Sequence, residues 1–201
     1  MTLLLCVCSG AWAEDAVATV TIGNSSSSSY AATFTSSSTN ANITASATYF
    51  TLGNSTTSSN STYSSATAPY SVKIKSNGNI NTSEYSDAYS ASAQFTVASG
   101  YTFSPSAISA TIVTEAASYS YQAILTDGTT TYTSTDVTSS SNGKFTFSFP
   151  SLSGTPLSGT ISFKVRFKST ANNSKYFVFN LPITITGTVA EAATYDITFA
   201  N

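Results

Sequence analysis

Apolar and hydroxyl-bearing residues alternate along most of this chain with a period of two, the spacing that puts neighbours on opposite faces of a β-strand. Ala18, Val20 and Ile22 alternate with Thr19 and Thr21, predicting a first strand with one buried face. Ala91, Ala93, Phe95 and Val97 do the same against Ser92, Gln94 and Thr96. The clearest case is residues 161–167: Ile161, Phe163, Val165 and Phe167 share one face, and Ser162, Lys164 and Arg166 share the other.

Shorter strands are predicted at 30–35, 43–52, 70–75, 79–81, 107–114, 119–126 and 129–133. Residues 24–29 and 53–65 read as polar loops, and 150–159 as a turn-rich connection. Three dipeptides, Asn77-Gly78, Asp127-Gly128 and Asn142-Gly143, carry the strongest local hairpin signal. The last precedes Phe145, Phe147 and Phe149, spaced by two. Gly100 and Pro105 are expected to break the chain, and 171–174 to turn before a strand at 175–180. Pro182 should confine 183–186 to an edge or a bulge. Tyr195, Ile197 and Phe199 read as a closing strand or the opening of a further module from 189 onward.

With no amphipathic helix and about eight to eleven strands, the expected class is all-β. The architecture is a two-sheet antiparallel β-sandwich, jelly-roll or immunoglobulin-like. A division near Gly100 into two small sandwiches stays open.

Charge then narrows the chemistry. Seven basic and nine acidic residues make 8% of the chain, against about 25% in ordinary soluble domains. None lies between Ala16 and Val72, and roughly a third of all residues are Ser or Thr. Histidine is absent, so no Ser-His-Asp, Cys-His or imidazole–zinc arrangement is available. The acids are Glu14, Asp15, Glu84, Asp87, Glu115, Asp127, Asp136, Glu191 and Asp196. Asp127 and Asp136 are the pair nearest to a glycosidase-like arrangement, but Asp127 beside Gly128 suits a turn cap. The expectation is no enzyme, no metal and no cofactor. Calcium is the one ion that loop carbonyls with a single Asp would suit, although no dense D-x-D loop is present.

Residues 1–13 combine a short apolar run with Ala11-Trp12-Ala13, the form of a secretory signal peptide too short to span a bilayer. They contain Cys6, Cys8 and the single Trp12. The working domain would then be 14–201, secreted or at a cell surface. The sparse mixed charge, net −2, points to neither nucleic acid nor an anionic membrane.

Two functions fit such a surface. The first is binding of a polysaccharide or other glycan, in which aromatic rings stack on sugar C–H faces and polar groups bond the rim. Tyr85, Tyr89, Tyr119, Tyr121 and Tyr132 are candidates, with Gln122, Asn172 and Asn173 as polar partners. Tyr119 and Tyr121 share a sheet face, which suits a core equally well. Lys164, Arg166 and Lys168 form the one concentration of charge: an anion contact, or a soluble outer face or protected edge. The second function is a structural subunit of an extracellular filament or adhesin, contacting neighbouring copies or domains. Acceptor sequons occur at Asn24, Asn42, Asn54, Asn60, Asn81 and Asn172, and 18–22 is a strand suited to completing a neighbour's sheet or to pairing at home.

The stretches GAWAEDAVATVTIG, YSVKIKSNGNI and LSGTISFKVRFKSTANNSKYFVFNLPITITG resemble non-catalytic β-sandwich modules of secreted Bacteroidetes proteins. Such modules accompany polysaccharide-degrading enzymes and resemble jelly-roll carbohydrate-binding domains. The resemblance implies core roles for Phe163, Val165 and Phe167, and places Phe177, Phe179, Ile183 and Ile185 in a final strand pair. Where many such domains read D-N-[LI], this chain has Phe179-Asn180-Leu181 and lacks the acid.

Overall fold

A computed structural model describes residues 16–24, 35–45, 51–52, 71–75, 80–114, 119–139, 143–173 and 176–193. They form fourteen strands and one 3-10 turn. In chain order the strands begin with β1 (Ala16–Asn24), β2 (Thr35–Ser38), β3 (Ile43–Ala45), β4 (Thr51–Leu52), β5 (Ser71–Lys75) and β6 (Ile80–Thr82). The 3-10 turn Asp87–Tyr89 leads into β7 (Ser90–Val97), β8 (Tyr101–Thr114), β9 (Tyr119–Thr126) and β10 (Thr131–Thr133). The chain continues with β11 (Val137–Ser139), β12 (Gly143–Thr146), β13 (Thr160–Asn173) and β14 (Tyr176–Glu191).

These strands make the two antiparallel sheets of a β-sandwich. One has six strands, ordered β12-β8-β14-β1-β2 with β5 on β14. The other has eight, ordered β10-β9-β13-β7-β3, with β11 on β9, β4 on β7 and β6 on β13. Each sheet takes strands from both sides of Gly100, and one buried cluster joins them.

The alternation reads out as the inner faces. Ala91, Ala93, Phe95 and Val97 of β7 are buried, as are Ile161, Phe163, Val165 and Phe167 of β13. Ala18, Val20, Ile183, Ile185 and Val189 line the opposite sheet. Phe95 and Phe103 meet across the sandwich edge-to-face, with ring centroids 5.7 Å apart. Each fully buried side chain of this size stabilises the fold by about 1.5–3 kcal/mol, so a chain with few charged residues can still hold its sheets together.

Long-range pairing corrects several local expectations. Asp127-Gly128 does join the hairpin β9–β10, with Gly128 at φ +93°. The strands flanking the other two dipeptides do not pair: β5 joins β14 while β6 joins β13, and β11 joins β9 while β12 joins β8. At both places the chain passes from one sheet to the other. An Asn-Gly dipeptide favours a reversal of direction, whereas pairing depends on which sheet has room for each arm. The dipeptide Asn77-Gly78 itself, and Asn142, lie outside the described residues, as do 1–15, 25–34, 53–70 and 194–201.

Pro105 does not break β8. It faces Gly187 at a register shift where Ala107 already pairs Thr186, so the irregularity absorbs its missing N–H. Residues 171–173 remain in β13 instead of turning. Pro182 does sit at a register shift, but β14 is central, not an edge. It lies where β5 ends as a neighbour at Asn180 and β1 begins at Ile183, a point at which no partner needs its N–H. β1 pairs β14 from Ala16↔Val189 to Ile22↔Ile183. The strand at 18–22 is therefore seated in its own sheet, between β14 and β2.

Candidate functional site

The outer face of the eight-stranded sheet gathers five charged side chains, Asp87, Asp136, Lys164, Arg166 and Lys168. β13 lies between β9 and β7, so its odd positions enter the core and Lys164, Arg166 and Lys168 project outward. The protected-edge reading of this stripe is thereby corrected, since β13 is an interior strand. The register Arg166↔Ser90 brings the 3-10 turn just before β7 alongside the stripe. One Asp87 oxygen accepts from Lys164 Nζ at 2.6 Å, and the other from Arg166 Nε at 2.7 Å and Nη2 at 2.6 Å. The Lys164 hydrogen bond holds Asp87 below the ordinary 3.8; partial burial opposes this and Arg166 adds to it.

A second group lies one strand position along. Gln122 Nε2 donates to Asp136 Oδ1 at 3.1 Å, and Lys168 Nζ lies 3.9 Å from Asp136 Oδ2. The same ammonium sits 4.2 Å from the centroid of the Tyr85 ring, a cation–π contact. The Tyr85 hydroxyl is buried without an aligned hydrogen bond. Burial, foremost, and the neighbouring Asp136 carboxylate raise its pKa above the usual phenol value.

Between the Asp87 group, Gln122 and the β9–β10 hairpin runs a groove of about 370 Å³, lined by Gln122, Ile124, Thr126, Thr131, Lys164 and Arg166 among others. Thr126 Oγ1 donates to the Thr130 carbonyl at 2.7 Å, accepts from the Gly128 N–H at 3.0 Å and lies 2.9 Å from Thr131 Oγ1. Ile124 is an apolar residue on the outward parity of β9, yet it is only 3% exposed. That out-of-phase residue was the one sign in the sequence of a covered patch on this face. Asp87, Asp136 and Tyr85 were not singled out with the basic stripe, because they lie far from it along the chain and only strand register joins them.

The tyrosine platform is corrected. Tyr119, Tyr121 and Tyr132 are 2%, 1% and 7% exposed and belong to the core. Tyr119 and Tyr121 stack on each other at 6.2 Å, on the inward parity of β9. Tyr132 Oη donates to the Thr155 carbonyl at 2.8 Å, anchoring the connection before β13. Tyr89 packs against the core beside Phe167. Among the sugar-contact candidates, Gln122 and Tyr85 are on the outer face. Asn172 and Asn173 end β13, with Asn173 opposite Ile80, but their side chains lie outside the described residues.

Among the acceptor sequons, Asn42 is half-buried in a turn, its N–H bonded to Asn40 Oδ1 at 2.8 Å. The side chains of Asn24, Asn81 and Asn172 lie outside the described set, and so do residues Asn54 and Asn60.

Asp127 and Asp136 do not face each other. Asp127 Oδ1 accepts the N–H groups of Thr129 and Thr130 at 2.9 and 2.8 Å, and Oδ2 that of Ser158 at 3.0 Å. Asp136 adjoins Gln122, about 17 Å away along β9 at the usual rise per residue. Partial burial pushes Asp127 up, but the N–H groups of Thr130, Thr129 and Ser158 together hold it below 3.8. A carboxylate with a lowered folded pKa stabilises above its unfolded value and loses that contribution as pH falls through the folded one. Asp127→Ala is therefore expected to lose about 1–2 kcal/mol at pH 7. Its deficit relative to the unsubstituted protein should begin to shrink near pH 3.8 and close as pH falls through the lower folded value, as urea unfolding across pH would show.

The fold and these residues define a two-sheet β-sandwich module. Among the described residues, no group of three or more His, Cys, Asp or Glu is placed to hold a metal ion, and no helix is long and apolar enough to cross a membrane. No protein family, curated protein or solved structure matches the chain.

Proposed function

We propose that the chain is an exported, non-catalytic module that binds polysaccharide in the groove on the outer face of its eight-stranded sheet. The observation that carries this reading is the lining of that groove. An amide, threonine hydroxyls and a Lys–Asp–Arg group surround Ile124 in about 370 Å³, within the size range of small-ligand pockets. Sugar hydroxyls need such a mixture of donors and acceptors. Export is supported by the composition of residues 1–13 and by a surface on which Ser and Thr take the place of charge.

The test is retention on insoluble and soluble polysaccharides, together with a glycan array. Binding of at least one polymer is expected, and Gln122→Ala with Thr131→Val should weaken it about tenfold through lost hydrogen bonds. Absence of binding across neutral and acidic polymers, or binding that this double variant leaves intact, would refute the reading.

A further inference from the structure

We infer that the groove selects an anionic sugar, carrying a uronate carboxylate or a sulfate, and that Asp87 stands in for the ligand's charged group. This rests on the groove being a glycan site. The clamp around Asp87 is built on the sheet: Lys164 and Arg166 are two positions apart on an interior strand, with side chains 18% and 30% exposed. The anion they hold is not built in the same way. Asp87 comes from a single 3-10 turn, and its side chain is 57% exposed. An ion pair this open to water is weakly held, so another carboxylate can replace it with little loss.

Geometry and charge agree. One Asp87 oxygen takes the ammonium, and the other takes the Nε–Nη2 edge of the guanidinium. The planar guanidinium fork of Arg166 is of the form that suits carboxylate and sulfate oxygens. Among the charged residues lining the groove, two cations face one anion, and Asp136, bonded to Gln122 at its edge, is offset by Lys168, so an incoming negative group meets a net positive charge. The Gln122 amide and the hydroxyls of Thr131 and Thr133 lie along the same groove, where the ring hydroxyls of a sugar would meet them.

The test is affinity electrophoresis and calorimetry against polygalacturonate, a sulfated galactan and a neutral β-glucan, at low and raised salt. Acidic polymers should bind about tenfold or more tightly than the neutral one, and salt should weaken that preference. Asp87→Asn should strengthen acidic binding several-fold by freeing both cations. Arg166→Gln should weaken it about tenfold, with Lys164→Gln as the second variant if Arg166→Gln melts early. The two acidic polymers separate carboxylate from sulfate recognition. Equal binding of neutral and acidic polymers, or weaker acidic binding by a folded Asp87→Asn protein, overturns the inference and leaves the glycan reading standing. Failure of the unsubstituted protein and Asp87→Asn alike to bind any of the three polymers overturns the inference and the glycan reading together.

Discussion

Alanine in place of Gly187 is expected to destabilise the protein by about 3 kcal/mol or more, lowering the melting temperature by about 6–12 °C. A Cβ at this position would lie 2.5–2.6 Å from the Phe103 ring and closer still to the Ser104 carbonyl oxygen. Neither neighbour can yield cheaply. Phe103 is fully buried, stacked edge-on against Phe95, and its backbone exchanges two hydrogen bonds of 2.8 Å with Leu157. Ser104 belongs to β8, which is paired with β14 on either side of the irregularity at Pro105. The close approach of the two strands is thus tied to a proline that cannot donate and a glycine without a side chain. Thr188→Ala, on the outward face one residue along, should change stability by no more than about 0.5 kcal/mol. Calorimetric melting of the two variants checks this, and equal melting temperatures would show that the strands do not approach so closely.

Tyr121→Ala should cost about 3–5 kcal/mol of stability, as other buried aromatic truncations do, while the folded fraction keeps its affinity for polysaccharide. The ring is 1% exposed and stacks on Tyr119 inside the sandwich. A stacking platform would behave in the opposite way, losing binding with little change in melting. Burial, foremost, and the adjacent Tyr119 raise the Tyr121 pKa above its usual 10.0. A raised folded value means that this tyrosine's contribution is complete below pH 10.0 and is lost as pH rises toward the folded value. Tyr121→Phe should accordingly blunt the alkaline loss of stability, as chemical unfolding between pH 8 and 11 would show. An unchanged alkaline profile would mean that the phenol ionises without penalty and is not enclosed as described.

The groove was only partly legible. Lys164, Arg166 and Lys168 announced themselves by alternation with apolar neighbours, and Gln122 as an amide beside the candidate tyrosines. Their partners did not, because Asp87 lies 77 residues from Lys164 and 79 from Arg166. A hydrogen-bonding residue in a turn gives no local sign of the strand beside which it will come to rest. The tyrosines were ambiguous for a different reason. Parity says that Tyr119 and Tyr121 share a face, and only the position of the opposing sheet makes that face the inner one.

Local physics accounts for what the chain itself determines. Alternation with a period of two, β-branched and aromatic residues, and the absence of any helical stripe specify strands and their two faces, and a charge content of only 8% leaves mainly hydroxyls on the outside. Pairing is another matter, since an Asn-Gly dipeptide or a proline constrains only its own few dihedral angles. Tertiary structure decided that β5 and β6 part to different sheets, that Pro105 faces Gly187 in an interior pair, and that a carboxylate from one turn settles between two cations of β13. Each of those outcomes depends on hydrogen bonds and packing between segments distant in the chain, which no local window contains.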